Sequence, residues 1–381
     1  MTGMLVYFHC GSNTGYAIES LEKVFYQMSK NIVFTDDRIH FGYTDLDKGF
    51  PRTLPAGFSN VIQFDSSDSS KESLKFIGNY VRDNQIEIAF GFDQPLSRPG
   101  YRTMKQAGLK KLISYWGAPM SSINPRWKLF LKQMEVRMKR YKPDHYIFES
   151  KAMADTAVYG RGIHPKDVSI VYLGVDIEKY NPDAGTYYAH DVFGIPRERR
   201  IVVYSGHMEE RKGVHVIINA AINLIVEHGR NDVHFLLMGN KDGEEKRFEH
   251  MYHGTRTEQY VTFGGYRNDI NRIFPSCFVG TIASTGWDSF TMSSLEMAAS
   301  GLPLIVSDLQ GLVETVEDKV TGSIFERGNH VDLARKIQAL LDDQKLWESM
   351  SERSRERILS GFTADIQIKR LTSVLTDVCR K

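Results

Sequence analysis

Short apolar runs alternate with stretches of helical period through the first half of this 381-residue chain. Residues 5–8 form one such run and end at a polar, glycine-bearing stretch, Gly11-Ser12-Asn13-Thr14-Gly15. Apolar positions at helical spacing follow over 17–28, and runs at 61–64, 86–90, 111–115 and 144–148 predict strands. Strands alternating with helices predict a parallel sheet with right-handed crossovers. Residues 174–200 carry the turn signals Asn181-Pro182-Asp183-Ala184-Gly185 and Gly194-Ile195-Pro196 and predict a linker. The alternation then restarts with a strand at 200–204, a glycine turn, and a helix through Val214, Ile217, Ile218, Ala221, Leu224 and Ile225. Strands at 233–238, 261–263, 279–283 and 304–306 complete a second parallel unit. The tail over 363–381 is helical by the spacing of Ile366, Leu371, Val374, Leu375 and Val378, with Thr363 placed to cap it.

One helical stretch stands apart. Over 125–142, Trp127, Phe130, Leu131, Met134, Met138 and Tyr141 make an apolar stripe among Arg126, Lys128, Lys132, Arg137, Lys139, Arg140 and Lys142, with Glu135 the sole acid. The preferred expectation is a domain helix with its stripe in the core and a solvated basic face. The rival is a helix lying on an anionic membrane, at the inner face of which the protein would be peripheral.

Composition adds bounds rather than direction. At 41% hydrophobic and 25% charged the chain is an ordinary globular protein, long enough for two domains. The formal net charge of +1 provides no global field toward nucleic acid, so any electrostatic partner is met by a local patch. Cys10, Cys277 and Cys379 lie far apart and suggest neither a disulfide framework nor a metal site, which fits a reducing cytoplasm. The apolar run at the N-terminus is short for a signal peptide, and no later run approaches roughly 18–20 apolar residues. A soluble cytoplasmic protein is expected.

The stretch that carries chemistry runs from Gly286 to Ile305. It reads as a loop with Asp288, a helix start at Phe290-Thr291-Met292-Ser293, a short helix with Glu296, a Gly301 stop and a buried strand. The two carboxylates can border one pocket about as long as a nucleotide sugar, and the free amides and dipole of the helix start attract phosphate. The acid-x7-Glu pattern with its small-residue-Gly-x-Pro run resembles the retaining glycosyltransferases of family 4, which have the GT-B fold. Asp288 stands where the family has Glu. In Gly206-His207-Met208-Glu209-Glu210-Arg211-Lys212-Gly213 the Lys-Gly pair matches the family's donor turn, and His207 stands where Arg is usual. Tyr172-Leu173-Gly174-Val175-Asp176 resembles the family's turn at the domain junction, and Gly265-Tyr266-Arg267 sits where backbone groups hold the base.

The resemblance implies two facing Rossmann-like domains with parallel sheets, over 1–175 on the acceptor side and 190–358 on the donor side, and a C-terminal helix over 359–381 that returns to the first domain. It implies a retaining, metal-independent hexosyltransferase, without a cofactor, that uses a UDP- or GDP-sugar and a saccharide or lipid-linked glycan acceptor, as in surface polysaccharide assembly. Asp288, Glu296 and Lys212 would be catalytic. Gly206, His207, Lys212, Gly213, Tyr266, Arg267, Phe290, Thr291, Met292, Ser293 and Glu296 would hold the donor: Glu296 at the ribose, Lys212 and the helix amides at the diphosphate, with Asp288 reaching the transferred sugar. Gly11, Asn13, Gly15 and Trp116 would form the acceptor or phosphate loop, although the glycine loop also reads as a plain strand-to-helix turn and Trp116 as core. Where the family often places a His near the transferred sugar, this chain reads Ile113-Ser114-Tyr115-Trp116-Gly117. A nucleotide-sugar-binding protein without activity and an epimerase of the same fold are the alternatives.

Overall fold

The computed structural model describes residues 2–183, 187–241 and 243–380; Ala184 and Gly185 of the linker turn lie outside the described residues. The chain divides into two compact units, Met1–Tyr172 with Asp365–Lys381, and Leu173–Ala364.

The first unit is built on β1 (Gly3–Tyr7), β2 (Ile39–Tyr43), β3 (Val61–Gln63), β4 (Ile86–Phe92), β5 (Lys111–Trp116), β6 (His145–Phe148) and β7 (Val168–Ile170). All pair in parallel in the order β3-β2-β1-β4-β5-β6-β7. Every residue of β1 and β2 is buried, as expected of parallel strands covered on both faces. Three labelled helices connect them: α1 (Tyr16–Val33), α2 (Lys71–Asp83) and α3 (Pro99–Ala107). Phe25 of α1 packs edge-on against Phe90 of β4 and Tyr115 of β5, with ring centroids 4.8 and 5.0 Å away. Tyr115 is fully buried and belongs to this core.

The second unit repeats the plan with β8 (Arg200–Ser205), β9 (Val233–Met238), β10 (Val261–Gly265), β11 (Val279–Ile282), β12 (Leu304–Ser307) and β13 (Gly322–Phe325), ordered β10-β9-β8-β11-β12-β13 and parallel throughout. In both sheets the strand order reverses once, beside β1 and β4 in the first and beside β8 and β11 in the second. Such a reversal leaves a crevice at the carboxyl ends of the two strands, where open α/β sheets bind ligands. The α/β expectation of two parallel, Rossmann-like sheets holds in both units.

The C-terminal segment differs in detail from a single helix over 359–381. One helix ends at Gly361, another runs over Ala364–Arg380, and the break serves a pairing. Val175 donates its N–H to the Phe362 carbonyl and accepts from Ala364 N–H. The approach is close enough that a Cβ on Gly174 would stand 2.4 Å from the Thr363 carbonyl oxygen, so glycine is required there. The last helix buries Leu371, Leu375 and Val378 and, through Gln367 Nε2, reaches the Tyr115 hydroxyl at 3.4 Å.

The basic helix α4 (Arg126–Met138) overturns the preferred expectation. Its stripe of Trp127, Phe130, Leu131, Met134 and Met138 is exposed, and Val136 is the buried residue. The helix docks by another edge. A Cβ on Gly162 would lie 2.7 Å from the Gln133 backbone nitrogen, and Arg161 grips Glu135 through two hydrogen bonds of 3.1 and 2.7 Å. Among the described residues no helix is long and apolar enough to cross a membrane.

Candidate functional site

The carboxyl end of β8 leads into the first element of the site. Gly206 follows Ser205 at a point where a Cβ would lie 2.6 Å from the Tyr204 hydroxyl, and that hydroxyl donates to the His207 carbonyl at 2.7 Å. Gly213 closes the turn with φ +70, and a Cβ there would fall 1.8 Å from the Ala283 carbonyl oxygen. Only glycine lets the turn lie against the end of β11. Arg211 joins the two loops: its carbonyl accepts from Thr285 and Gly286 N–H at 2.7 and 3.1 Å. Its guanidinium donates to the Trp287 carbonyl at 3.1 Å and lies 4.5 Å from that indole ring. Arg211 is thereby occupied in structure, and His207 is exposed.

This stitching brings Lys212 and Asp288 together. Lys212 Nζ donates to Asp288 Oδ2 at 2.8 Å, with the two side chains 15% and 6% exposed. Ser284 Oγ donates to the same carboxylate at 2.6 Å and Ser289 N–H to its other oxygen at 3.1 Å. Ser284 is in turn fixed through its carbonyl, which accepts from Ser307 Oγ at 2.7 Å. A buried ion pair survives desolvation when its remaining polar atoms are satisfied, as here.

Thr291 caps the helix Met292–Ala299 in an extended conformation and makes no side-chain cap bond among the described residues; its Oγ1 meets Ser294 Oγ at 2.5 Å instead. The first-turn amides of Met292 and Ser293 are therefore not taken up by the cap. Phe290 is buried and stacks on Phe362, so its ring is core and only its backbone borders the helix start. Glu296, one turn on, is 2% exposed.

At the ends of β9 and β10 lies a cleft of about 870 Å³ lined by Asn240, Lys241, Glu245, Lys246, Gly265 and Tyr266, among others. Asn240 shapes it, accepting Gly265 N–H at 2.8 Å and donating to Glu245 at 2.9 Å. Tyr266 stands exposed beside it. Arg267 is paired with Asp269, whose carboxyl it holds down at about 2. Asn240, Lys241 and Lys246 were not expected from sequence; a buried strand ending in Gly239-Asn240 was the available signal.

In the first unit the glycine loop is welded to residues 45–52. A Cβ on Gly11 would stand 2.3 Å from the Asp45 carboxylate. Asn13 Nδ2 donates to the Lys48 and Phe50 carbonyls at 3.0 Å each, and Oδ1 accepts Arg52 N–H at 3.1 Å. The Asn13 side chain thus fixes the loop, while Gly15, at φ +149 before α1, has open space around it. Trp116 stacks on Phe148 at 6.4 Å, and its buried Nε1 has no hydrogen-bond partner among the described residues.

Two carboxyls that were not expected at a site lie around Gly117, at the carboxyl ends of β4 and β6. Asp93, at φ +51 just beyond β4, accepts Gly117 N–H at 3.0 Å, and burial pushes its carboxyl up to about 6. Buried Glu149, at the end of β6, is held well above the carboxylate range by burial and then by Asp93. His9 stacks on Phe92 nearby, with its Nδ1 3.2 Å from the Phe92 carbonyl oxygen.

Comparison with known proteins adds context to this geometry. The family described as Glycosyl transferases group 1 matches residues 189–357. D-inositol 3-phosphate glycosyltransferase of Corynebacterium kroppenstedtii is 24% identical over 246 residues, 62% of this chain and 54% of that protein. The capsular polysaccharide biosynthesis glycosyltransferase CapM of Staphylococcus aureus is 25% identical over 201 residues, 53% of this chain and 52% of its own length. The chain spans about half the length of the curated relatives it matches. Among solved structures, a glycosyltransferase from Rickettsia africae superposes with a TM-score of 0.82 at 14% identity, over 100% of this chain and 99% of the other. Anabaena HepE in complex with UDP gives 0.76 at 16% identity, over 99% and 100%. At such identities the structures show a shared fold.

Proposed function

Because residues 189–357 match the family of group 1 glycosyl transferases, we propose that the chain moves a hexose-type sugar from a nucleoside-diphosphate donor to a saccharide or lipid-linked glycan in the cytoplasm. The observation that carries this reading is the Lys212–Asp288 pair, set at the strand-order reversal of the second sheet and followed by a helix start with uncapped amides. Lys212 and the Met292 and Ser293 amides take the diphosphate. Their hydrogen bonds strengthen as negative charge collects on the leaving phosphate, which lowers the barrier to departure. Glu296 binds the ribose hydroxyls, and the base lies toward Tyr266 and Gly265 in the cleft beyond β9 and β10. The bond between the anomeric carbon and the phosphate oxygen breaks, the acceptor oxygen bonds to that carbon on the same face, and its proton passes to the departing phosphate. Asp288, drawn to Lys212 and Ser284, holds the lysine in place and turns its remaining capacity toward the sugar. Lys212 and the helix dipole offset the charge in place of a metal.

The UDP and UDP-glucose seen in Anabaena HepE favour a uridine donor over a guanosine one. Acceptors of the relatives support a glycan product: one is named a UDP-Gal:α-D-GlcNAc-diphosphoundecaprenol galactosyltransferase and another a capsular polysaccharide enzyme.

Thermal-shift titration with UDP, GDP and their sugars tests the site. A ligand near 100 times its dissociation constant stabilises by about 2.7 kcal/mol. The expected result is a shift with a single nucleotide class that Glu296→Ala removes, followed by acceptor-dependent release of the nucleoside diphosphate in the presence of chelator. No shift with any nucleotide overturns the reading. Binding without release in the presence of any glycan acceptor leaves a binding protein in its place.

A further inference from the structure

We propose that α4 docks the chain on the surface of an anionic lipid bilayer. With about 100° between successive residues, Trp127, Phe130, Leu131, Met134 and Met138 fall within an arc of about 100°. These five side chains are 40–74% exposed. Leu129, Lys132 and Val136 lie on the opposite side of the helix, within an arc of about 60°, and form the edge that meets the protein. The apolar stripe therefore points directly away from the unit it belongs to. Ile123 and Tyr159, 59% and 51% exposed, extend it, and their segments are tied by Asn124 N–H donating to the Tyr159 carbonyl at 3.1 Å. An exposed apolar face of this size calls for an occupant.

Charge identifies the occupant. Seven cations fall within 126–142 against the single acid Glu135, in a chain whose formal net charge is only +1. That acid is neutralised by Arg161 at 2.7 Å and by Lys132 at 3.4 Å, so its charge does not face outward unpaired. Arg126 and Arg137 border the stripe on one side and Lys128 on the other, and Lys139, Arg140 and Lys142 follow at its end. A second copy of this chain would set the cations that flank the stripe against one another across a two-fold axis, which disfavours self-association. An anionic bilayer answers both features at once: acyl chains receive the stripe, and headgroup phosphates receive the cations that flank it.

The test uses the full chain with vesicles of phosphatidylcholine alone and of phosphatidylcholine mixed with phosphatidylglycerol, read by co-sedimentation. Expected are sedimentation with the anionic vesicles alone and its loss at high salt. Arg126→Gln/Arg137→Gln weakens binding about 25-fold, at about fivefold per cation. Trp127→Ser/Phe130→Ser/Leu131→Ser abolishes it while preserving nucleotide-induced thermal stabilisation, which reports on the second unit and keeps this inference separable from the proposed transfer. Binding to both vesicle types alike, no binding to either, or serine variants that bind as the wild type would each overturn the inference. So would a dimer in solution that the serine substitutions dissociate, or a tight soluble protein partner that displaces the chain from vesicles.

Discussion

Substituting Lys212 by methionine removes the cation and keeps most of the side-chain volume. The Asp288 carboxylate, 6% exposed, is left with the Ser284 hydroxyl and the Ser289 amide as its donors. Breaking a buried pair from one side typically costs about 3–5 kcal/mol. The two remaining hydrogen bonds and the 15% exposure of Lys212 reduce that to about 2–4 kcal/mol here. Urea unfolding followed through Trp287 and Trp347, both in the second unit, reads the loss as a midpoint lowered by roughly 1–2 M. The double variant Lys212→Met/Asp288→Asn has no unpaired charge and recovers most of the difference, a coupling of about 1.5–3 kcal/mol. A single variant within about 0.5 kcal/mol of wild type, or a double variant no more stable than the single, would refute the claim that this pair is desolvated and mutually dependent.

Asp93 gives a pH signature. Its carboxyl is raised by burial to about 6, so the folded chain keeps a proton that the unfolded chain releases near pH 4. That contribution, at most about 2–3 kcal/mol, is complete below about pH 4 and is lost as pH rises through 6. Asp93→Asn should flatten the fall in melting temperature between pH 5 and pH 7.5, and an unchanged profile would count against the buried proton. Val136→Ala, on the inner edge of α4, should cost about 1 kcal/mol, whereas Trp127→Ser should stay within about 0.5 kcal/mol; the reverse order in thermal melts would mean the helix is turned the other way. Asn13→Ala removes the donors to Lys48 and Phe50 and should lower stability by about 1–2 kcal/mol while making residues 45–52 the first site of limited proteolysis.

Most strands were legible because parallel strands buried on both faces are continuous apolar runs, as at 5–8 and 304–306. β2 was not. Ile39-His40-Phe41-Gly42-Tyr43 alternates polar and apolar positions, yet all five are buried, because His40 finds the Tyr80 hydroxyl at 2.7 Å and Gly42 fits against Tyr7. β13, with Gly322 and Ser323 in four residues, lacks any apolar run and is held in place by pairing with β12. Lys212, Gly213 and Asp288 stood out in the sequence, and the adjacent ends of β8 and β11 bring them together. Asp93 could not be read, since its neighbours Gly117 and Glu149 are remote in sequence and only the sheet order brings them together. The stripe of α4 shows the limit of periodicity. Spacing tells which side chains share a face, but the face that meets the protein was decided by Gly162 and Arg161, outside the helix.

Gly213 also has a meaning in genetic terms. Any missense change of a glycine codon by one base introduces a residue with a Cβ, and here that atom would coincide with the Ala283 carbonyl oxygen at 1.8 Å in a backbone region closed to most side chains. A saturating mutational screen for function should therefore return an empty column at this codon, although the residue carries no charge, no side chain and no proton to give. Its neighbour Lys212 can be replaced without disturbing the backbone, so the two adjacent positions would separate variants that fold and fail to act from variants that never assemble the turn.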